Sequence, residues 1–248
     1  MNRIGITETY DPCFVPDWEV RLLDANIVIS KELTDEMIGK LVMLQDRIIF
    51  HHTVTGQGGS VLEPYVKPAA YEFAQFRKLL AAGFDISHYV LRLDPIILFN
   101  KACQDNIINV LDMWHELMVA GCTRLRCRVS MVDLYPHAVE RLKAAGFPLL
   151  WDSFTAPKMA FKRAREILAK YTDIFHFESC AEATPIGEFV EQCGCASYKD
   201  LAILGKNQGD YGYPENKQRP TCQCLAKKQI LGVKPGQCGH GCLYCFWK

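Results

Sequence analysis

The run Cys238-Gly-His-Gly-Cys242-Leu-Tyr-Cys245 places three thiols within eight residues, separated by three and then two positions. Three thiolates at that spacing can ligate three irons of a 4Fe–4S cubane and leave the fourth iron open, without a protein ligand. The amino and carboxylate groups of S-adenosylmethionine (SAM) can chelate an open iron of this kind. An electron passed into the sulfonium then breaks a carbon–sulfur bond and yields a 5′-deoxyadenosyl radical that abstracts hydrogen. Gly239 and Gly241 allow the loop to close tightly around a cluster, and Tyr244 is placed to pack against adenine. The competing use is a zinc knot formed with His240, or with Cys222 and Cys224. Structural zinc favours paired C-x2–4-C units, and a triplet is awkward for one tetrahedral ion.

A second group lies just upstream: Cys180, Cys193, Cys195, Cys222 and Cys224. A closed cluster needs four thiolates, so an auxiliary 4Fe–4S cluster on Cys180, Cys195, Cys222 and Cys224 is expected, with Cys193 as a further candidate. Structural zinc, or free thiols, are the simpler uses. The remaining cysteines, Cys13, Cys103, Cys122 and Cys127, are scattered and read as small packing residues. Twelve cysteines are too many for packing alone. In a reducing compartment they do not form lasting disulfides, which leaves metal binding as the expected role of the late group.

Composition sets the frame for this chemistry. The chain has 248 residues, of which 49% are hydrophobic and 23% charged, an ordinary globular balance. Twenty-eight basic residues offset 28 acidic ones, so there is no global charge to favour nucleic acid or a membrane surface. No apolar run approaches the ~18 residues of a membrane span, and residues 1–10 lack the apolar core of a signal peptide. The expected location is therefore cytoplasmic, with no membrane partner.

The elements that must position these residues alternate. Strands are expected near residues 3–8, 26–30, 47–55, 87–94, 123–131 and 173–178. Helices are expected near 34–44, 68–82, 104–120, 136–145 and 157–170. Pro68 and Pro157 suit first turns, and Gly83, Gly121 and Gly146 suit helix ends. Strand–helix alternation predicts an α/β fold with a parallel sheet. Six strands predict a partial βα barrel, with a doubly wound open sheet as the alternative. Residues 1–179 would form this barrel, and residues 180–248 a cysteine-rich segment packed on its mouth as part of one unit. Gly56-Gln-Gly58-Gly59 reads as a flexible loop near that mouth, because no helix follows it directly.

The chain resembles an uncharacterised bacterial family whose C-terminal cysteines mirror the cluster motif usually found near the N-terminus of radical SAM enzymes. The likeness rests on Thr53-Val-Thr-Gly-Gln-Gly58, Leu91-Arg-Leu-Asp-Pro-Ile96, Ser130-Met-Val-Asp-Leu-Tyr135, Ser179-Cys-Ala-Glu182, Gln218-Arg219, Cys222-Gln-Cys224 and the closing triplet. Locally, His-Gly-Cys-x-Tyr-Cys is also similar to spore photoproduct lyase, which acts on thymine in DNA. Where the family carries an Arg-rich turn after the first strand, this chain has Thr7-Glu-Thr-Tyr10. The resemblance implies a permuted radical SAM barrel, in which the cluster loop reaches the barrel mouth from the C-terminus.

Ligands of parallel sheets bind at the C-terminal strand ends. There the sequence presents His51, His52 and Thr53, then Arg92 and Asp94, Arg128 and Ser130, and His176 and Glu178. Strand alternation lets only one of His51 and His52 face inward. His52, Arg92, Asp94 and Glu178 are the catalytic candidates; Tyr244, Gly241, Arg92 and Ser130 are the candidates for holding SAM. Arg92 and Asp94 serve equally well as an ion pair. A basic helix face, Lys158, Lys162, Arg163, Arg165 and Lys170, suits either phosphates or solvent. The expected activity is hydrogen abstraction leading to isomerisation, lyase chemistry or modification of a small molecule or nucleobase, including one in DNA. Its electron donor would be a low-potential protein such as flavodoxin or ferredoxin. A zinc-stabilised binding module and an electron-transfer iron–sulfur protein are the other classes that fit.

Overall fold

The structure, a computed structural model, describes residues 2–180, 182–213, 221–232 and 238–247. Gln218 and Arg219, which carry part of the resemblance, lie outside the described residues, as does Ala181. In chain order the elements are β1 (Ile4–Ile6), β2 (Asn26–Ser30), α1 (Asp35–Leu44), β3 (Ile48–Thr53), α2 (Ala69–Ala81), β4 (Tyr89–Ile96) and α3 (Lys101–Ala120). They continue as β5 (Leu125–Met131), α4 (Pro136–Ala144), α5 (Lys158–Leu168), β6 (Phe175–Ser179), β7 (Glu191–Gln192), α6 (Tyr198–Ile203) and β8 (Lys228–Ile230). Each expected strand and helix is present to within a few residues. Local chemistry sets the ends. The Thr34 side chain accepts from the Met37 amide to start α1. Pro68 and Pro157 sit one position earlier than expected, at the caps of α2 and α5.

All eight strands form one parallel sheet in the order β7-β6-β5-β4-β3-β2-β1-β8. The fold is therefore α/β, with eight sheet strands among the described residues where six were expected. The extra strands, β7 and β8, are edge additions of two and three residues. From β1 to β7 the order never reverses, so the reversal that defines a doubly wound sheet is missing from this one. No described residues pair β7 with β8, and the described sheet is open. Among the described residues, no helix is long and apolar enough to cross a membrane.

Alternation along the strands divides the side chains between two layers. Ile48, Phe50, Tyr89, Leu91, Leu125, Cys127 and Phe175 face the helices and join Phe76, Leu79, Trp114 and Phe161 in the main core. Trp114 stacks on Phe76 with ring centroids 5.5 Å apart. Truncating a fully buried aromatic of this kind costs about 3–5 kcal/mol. On the opposite face Ile27, Ile49 and Val90 meet Ala196, Leu201, Leu204, Tyr211 and Leu225. The cysteine-rich segment thus covers the sheet face that the helices leave bare. It is less irregular than its composition suggests. Ser197 and Asp200 form a reciprocal capping box that starts α6, a helix the periodicity did not reveal.

Candidate metal and cofactor site

Toward the C-terminal strand ends the bare face turns polar, and a cavity of about 640 Å3 opens there. Thr53, Arg92, Asp94, Arg128 and Ser130 line it from the strands, and Asp11, Lys31 and Asp133 from the loops that follow. Cys180 and Cys195 border it, as do Cys238, Cys242 and Cys245. Both cysteine groups therefore meet one chamber, whose size falls within the range of about 300–1,000 Å3 typical of small-molecule sites.

The triplet loop is held from several directions. Burial and hydrogen bonds between residues distant in sequence do this work where regular structure is missing. His240 lies 2.7 Å from Asp11 Oδ2 and 3.9 Å from Cys13 Sγ, with its ring edge-on to Phe14. Tyr244 donates its hydroxyl to Glu63, and Lys31 Nζ reaches both Tyr244 (3.1 Å) and Glu63 (2.7 Å). The Leu243 amide donates to the Leu62 carbonyl at 3.0 Å, and Arg141 Nε to the Leu243 carbonyl at 3.0 Å. A Cβ on Gly239 would stand 2.9 Å from the Phe14 ring, and one on Gly241 would stand 2.7 Å from the Tyr65 ring. Gly241 also has φ of +71°, in the left-handed region that favours glycine. Burial pushes the Cys242 thiol up to about 12, opposed by the nearby Lys31 ammonium.

The upstream group is tighter. Cys180 Sγ lies 3.9 Å from Cys224 Sγ, and the sulfurs of Cys180, Cys195 and Cys224 all fall within 4.8 Å of one another. Cys222 joins them through contacts with Cys180 and Cys224. Hydrogen bonds from Cys180 hold Cys222 and Cys224 below the usual thiol range. Cys193 turns away, its sulfur 3.7 Å from Arg128 Nη2. Of the two alternatives, then, the structure brings Cys195 into the group and leaves Cys193 outside it.

Two further sets gather metal-ligating side chains among the described residues. Asp11, Cys13 and His240 form the loop anchor just described; Asp11 also accepts from Ser30 Oγ at 2.5 Å and from the Lys31 amide at 2.7 Å. His176, Glu178 and Glu191 already surround a cation, since Lys199 Nζ lies 2.9 Å from each of them.

The proposed catalytic residues separate by strand face. Arg92 and Asp94 line the cavity as an ion pair, and Ser130 donates to Asp94. Arg92 Nε is buried with no hydrogen-bond partner. His52 points the other way, into the helix layer, where Tyr89 Oη and Glu72 Oε2 each lie 2.9 Å from its ring nitrogens. His51 is the inward member of the pair, and it does not border the cavity. Glu178 lies behind the lining, bound by Arg126, Arg128 (2.7 Å) and Lys199 (2.9 Å). Burial alone would raise its carboxyl, but Arg128 and Arg126 hold it far below the usual range.

Several other expectations change. The loop after β3 is packed: Gln57 is buried and donates to the Cys103 carbonyl at 3.3 Å. Cys122 is exposed where packing was expected, and Cys13 touches His240. The basic residues of α5 flank its buried face and point to solvent. Sequence reasoning missed Asp11, Lys31 and Glu63, as well as the rim residues Tyr135, Phe246 and Trp247. An acidic residue just beyond the first strand could have flagged Asp11. No local pattern marks Lys31 and Glu63, which lie 32 positions apart.

A parallel α/β sheet with a strand-end cavity bordered by two cysteine groups, one of them gathered closely enough to hold a metal ion, defines the class of protein at hand. The chain belongs to the family described as Domain of unknown function (DUF1848), whose model matches residues 14–247. No curated protein matches it.

Proposed function

We propose that this protein is a radical SAM enzyme built on a permuted partial βα barrel. The observation that carries the reading is that Cys238, Cys242 and Cys245, spaced for a cubane with one open iron, wall a cavity at the C-terminal strand ends. When bound, the cluster supplies an electron to SAM and so releases the 5′-deoxyadenosyl radical. The protein's own residues position and shield. Lys31, Glu63 and Tyr244 fix the loop, and Tyr244 borders the cavity where adenine would lie. Arg92 suits the carboxylate of the cofactor, while Asp94 and Ser130 suit its ammonium. Tyr135, Phe246 and Trp247 give the cavity an aromatic rim on which a planar substrate can stack. This favours a nucleobase or modified nucleotide, in line with the likeness to spore photoproduct lyase. A cytoplasmic setting with a flavodoxin or ferredoxin donor completes the reading.

The test is to reconstitute the full chain with iron and sulfide under anaerobic conditions, reduce it, and add SAM. The expected result is a brown protein that forms 5′-deoxyadenosine. A colourless protein with zinc and no iron would point to a binding module. Clusters without SAM cleavage would point to an electron carrier.

A further inference from the structure

Sulfur spacing distinguishes one metal ion from a cluster. A tetrahedral ion with metal–sulfur bonds of about 2.3 Å sets its thiolates about 3.8 Å apart. Thiolates on the separate irons of a cubane stand farther apart, roughly 6 Å, because each extends outward from its own iron. In the upstream group Cys180 and Cys224 are 3.9 Å apart, and Cys195 lies within 4.8 Å of both. Cys222, buried two positions before Cys224, adjoins Cys180 and Cys224 from outside that set of three. This spacing is nearer to that of one ion than to that of a cubane.

The backbone agrees. A Cβ on Gly194 would stand 2.5 Å from the Gln223 carbonyl and 2.7 Å from Cys224 Cα, so the two cysteine-bearing segments cross without room for a side chain. The Cys195 amide donates to Cys224 Sγ at 3.2 Å, and the Leu225 amide to the Ala196 carbonyl at 3.0 Å. Amide donors of this kind orient a thiolate ligand and offset its charge.

We propose that Cys180, Cys195, Cys222 and Cys224 hold a single tetrahedral zinc ion, in place of the auxiliary cubane that the number of cysteines suggests. Four protein thiolates close the coordination sphere, so the site is structural. It pins the end of β6 to the two segments that cover the inner face of the sheet. The radical chemistry, if present, then rests on the triplet alone. The inference is independent of that chemistry.

The test uses the full chain with Cys238, Cys242 and Cys245 all changed to Ala, purified anaerobically from medium containing both metals. About one zinc per chain is expected, with iron below roughly a tenth of that, and Cys195→Ser in the same background should remove the zinc. About four irons without zinc, or a single iron, overturns the proposal. If the triple variant does not fold, the reconstituted wild type decides. About four irons and one zinc support the inference, with a zinc absorption edge that fits four sulfurs at about 2.3 Å. About eight irons and no zinc overturn it. One zinc with no iron leaves the inference standing and ends the radical SAM reading.

Discussion

His240 meets the carboxylate of Asp11 at 2.7 Å across 229 positions of chain, so the loop between two cysteines of the triplet is tied to the segment that follows the first strand. Both residues are buried, and the contact places the triplet over the strand ends. His240→Ala should free that loop while leaving the sheet intact. Amides of residues 238–245 should exchange roughly tenfold faster or more, as expected for loss of about 1.4 kcal/mol or more of local protection. Unchanged exchange would show that Tyr244 and Arg141 hold the loop without it.

The triplet and the scattered cysteines should respond differently to loss of a thiol. Cys242→Ala should abolish formation of 5′-deoxyadenosine by the reconstituted protein. Cys103 is buried in an apolar cluster and does not line the cavity, and Cys103→Ala should keep most of the activity at a stability cost of about 1 kcal/mol. Equal loss of SAM cleavage in both variants would contradict the assignment of the triplet.

Glu63 gives the loop a pH dependence. Burial alone would raise its carboxyl, but the charge and hydrogen bond of Lys31 bring it below the ordinary value of 4.5. A carboxyl depressed in the fold contributes stability that is fully present above about 4.5 and is lost as pH falls through the lower folded value. The urea midpoint of the wild type should therefore fall on acidification below that point, and Glu63→Gln should flatten this limb. An identical acid limb in the variant would show that other carboxylates set it.

Two glycines separate cradle from helix. Gly241→Ala forces a side chain into left-handed backbone and against the Tyr65 ring, and should cost about 1–3 kcal/mol. Gly39 lies in α1 with nothing within 4 Å of a built Cβ, so Gly39→Ala should stabilise by about 0.5–1 kcal/mol. Thermal unfolding of the two variants should move in opposite directions. A shift in the same direction would remove the cradle argument.

Most of the sheet and helix layer was legible because burying one side of each element imposes a period on the sequence. Phe73, Phe76, Leu79 and Leu80 mark α2 in this way. The edge strands were not legible, since two or three partly exposed residues at β7 and β8 carry no alternation. Alternation also showed that His51 and His52 must part, but not which would face the helices. That outcome depends on Tyr89 and Glu72, which receive His52 from 37 and 20 positions away. The two cysteine groups were visible as motifs. The spacing of the upstream sulfurs was not, because it depends on how the chain crosses at Gly194 and Gln223. Capping chemistry at Ser197 and Asp200 was present in the sequence and went unread.

β8 lies beside β1, with Ile4, Gly5 and Ile6 paired to Lys228, Gln229 and Ile230. A ribosome makes the first of these strands more than two hundred residues before the second. Until then β1 has only β2 as a neighbour, and the cavity has no wall on the side of residues 238–247. Contacts this remote slow the last step of folding, because a long stretch of chain must be ordered before they form. Closure of the cavity by residues 238–247 therefore comes after the strands that they cover have been made.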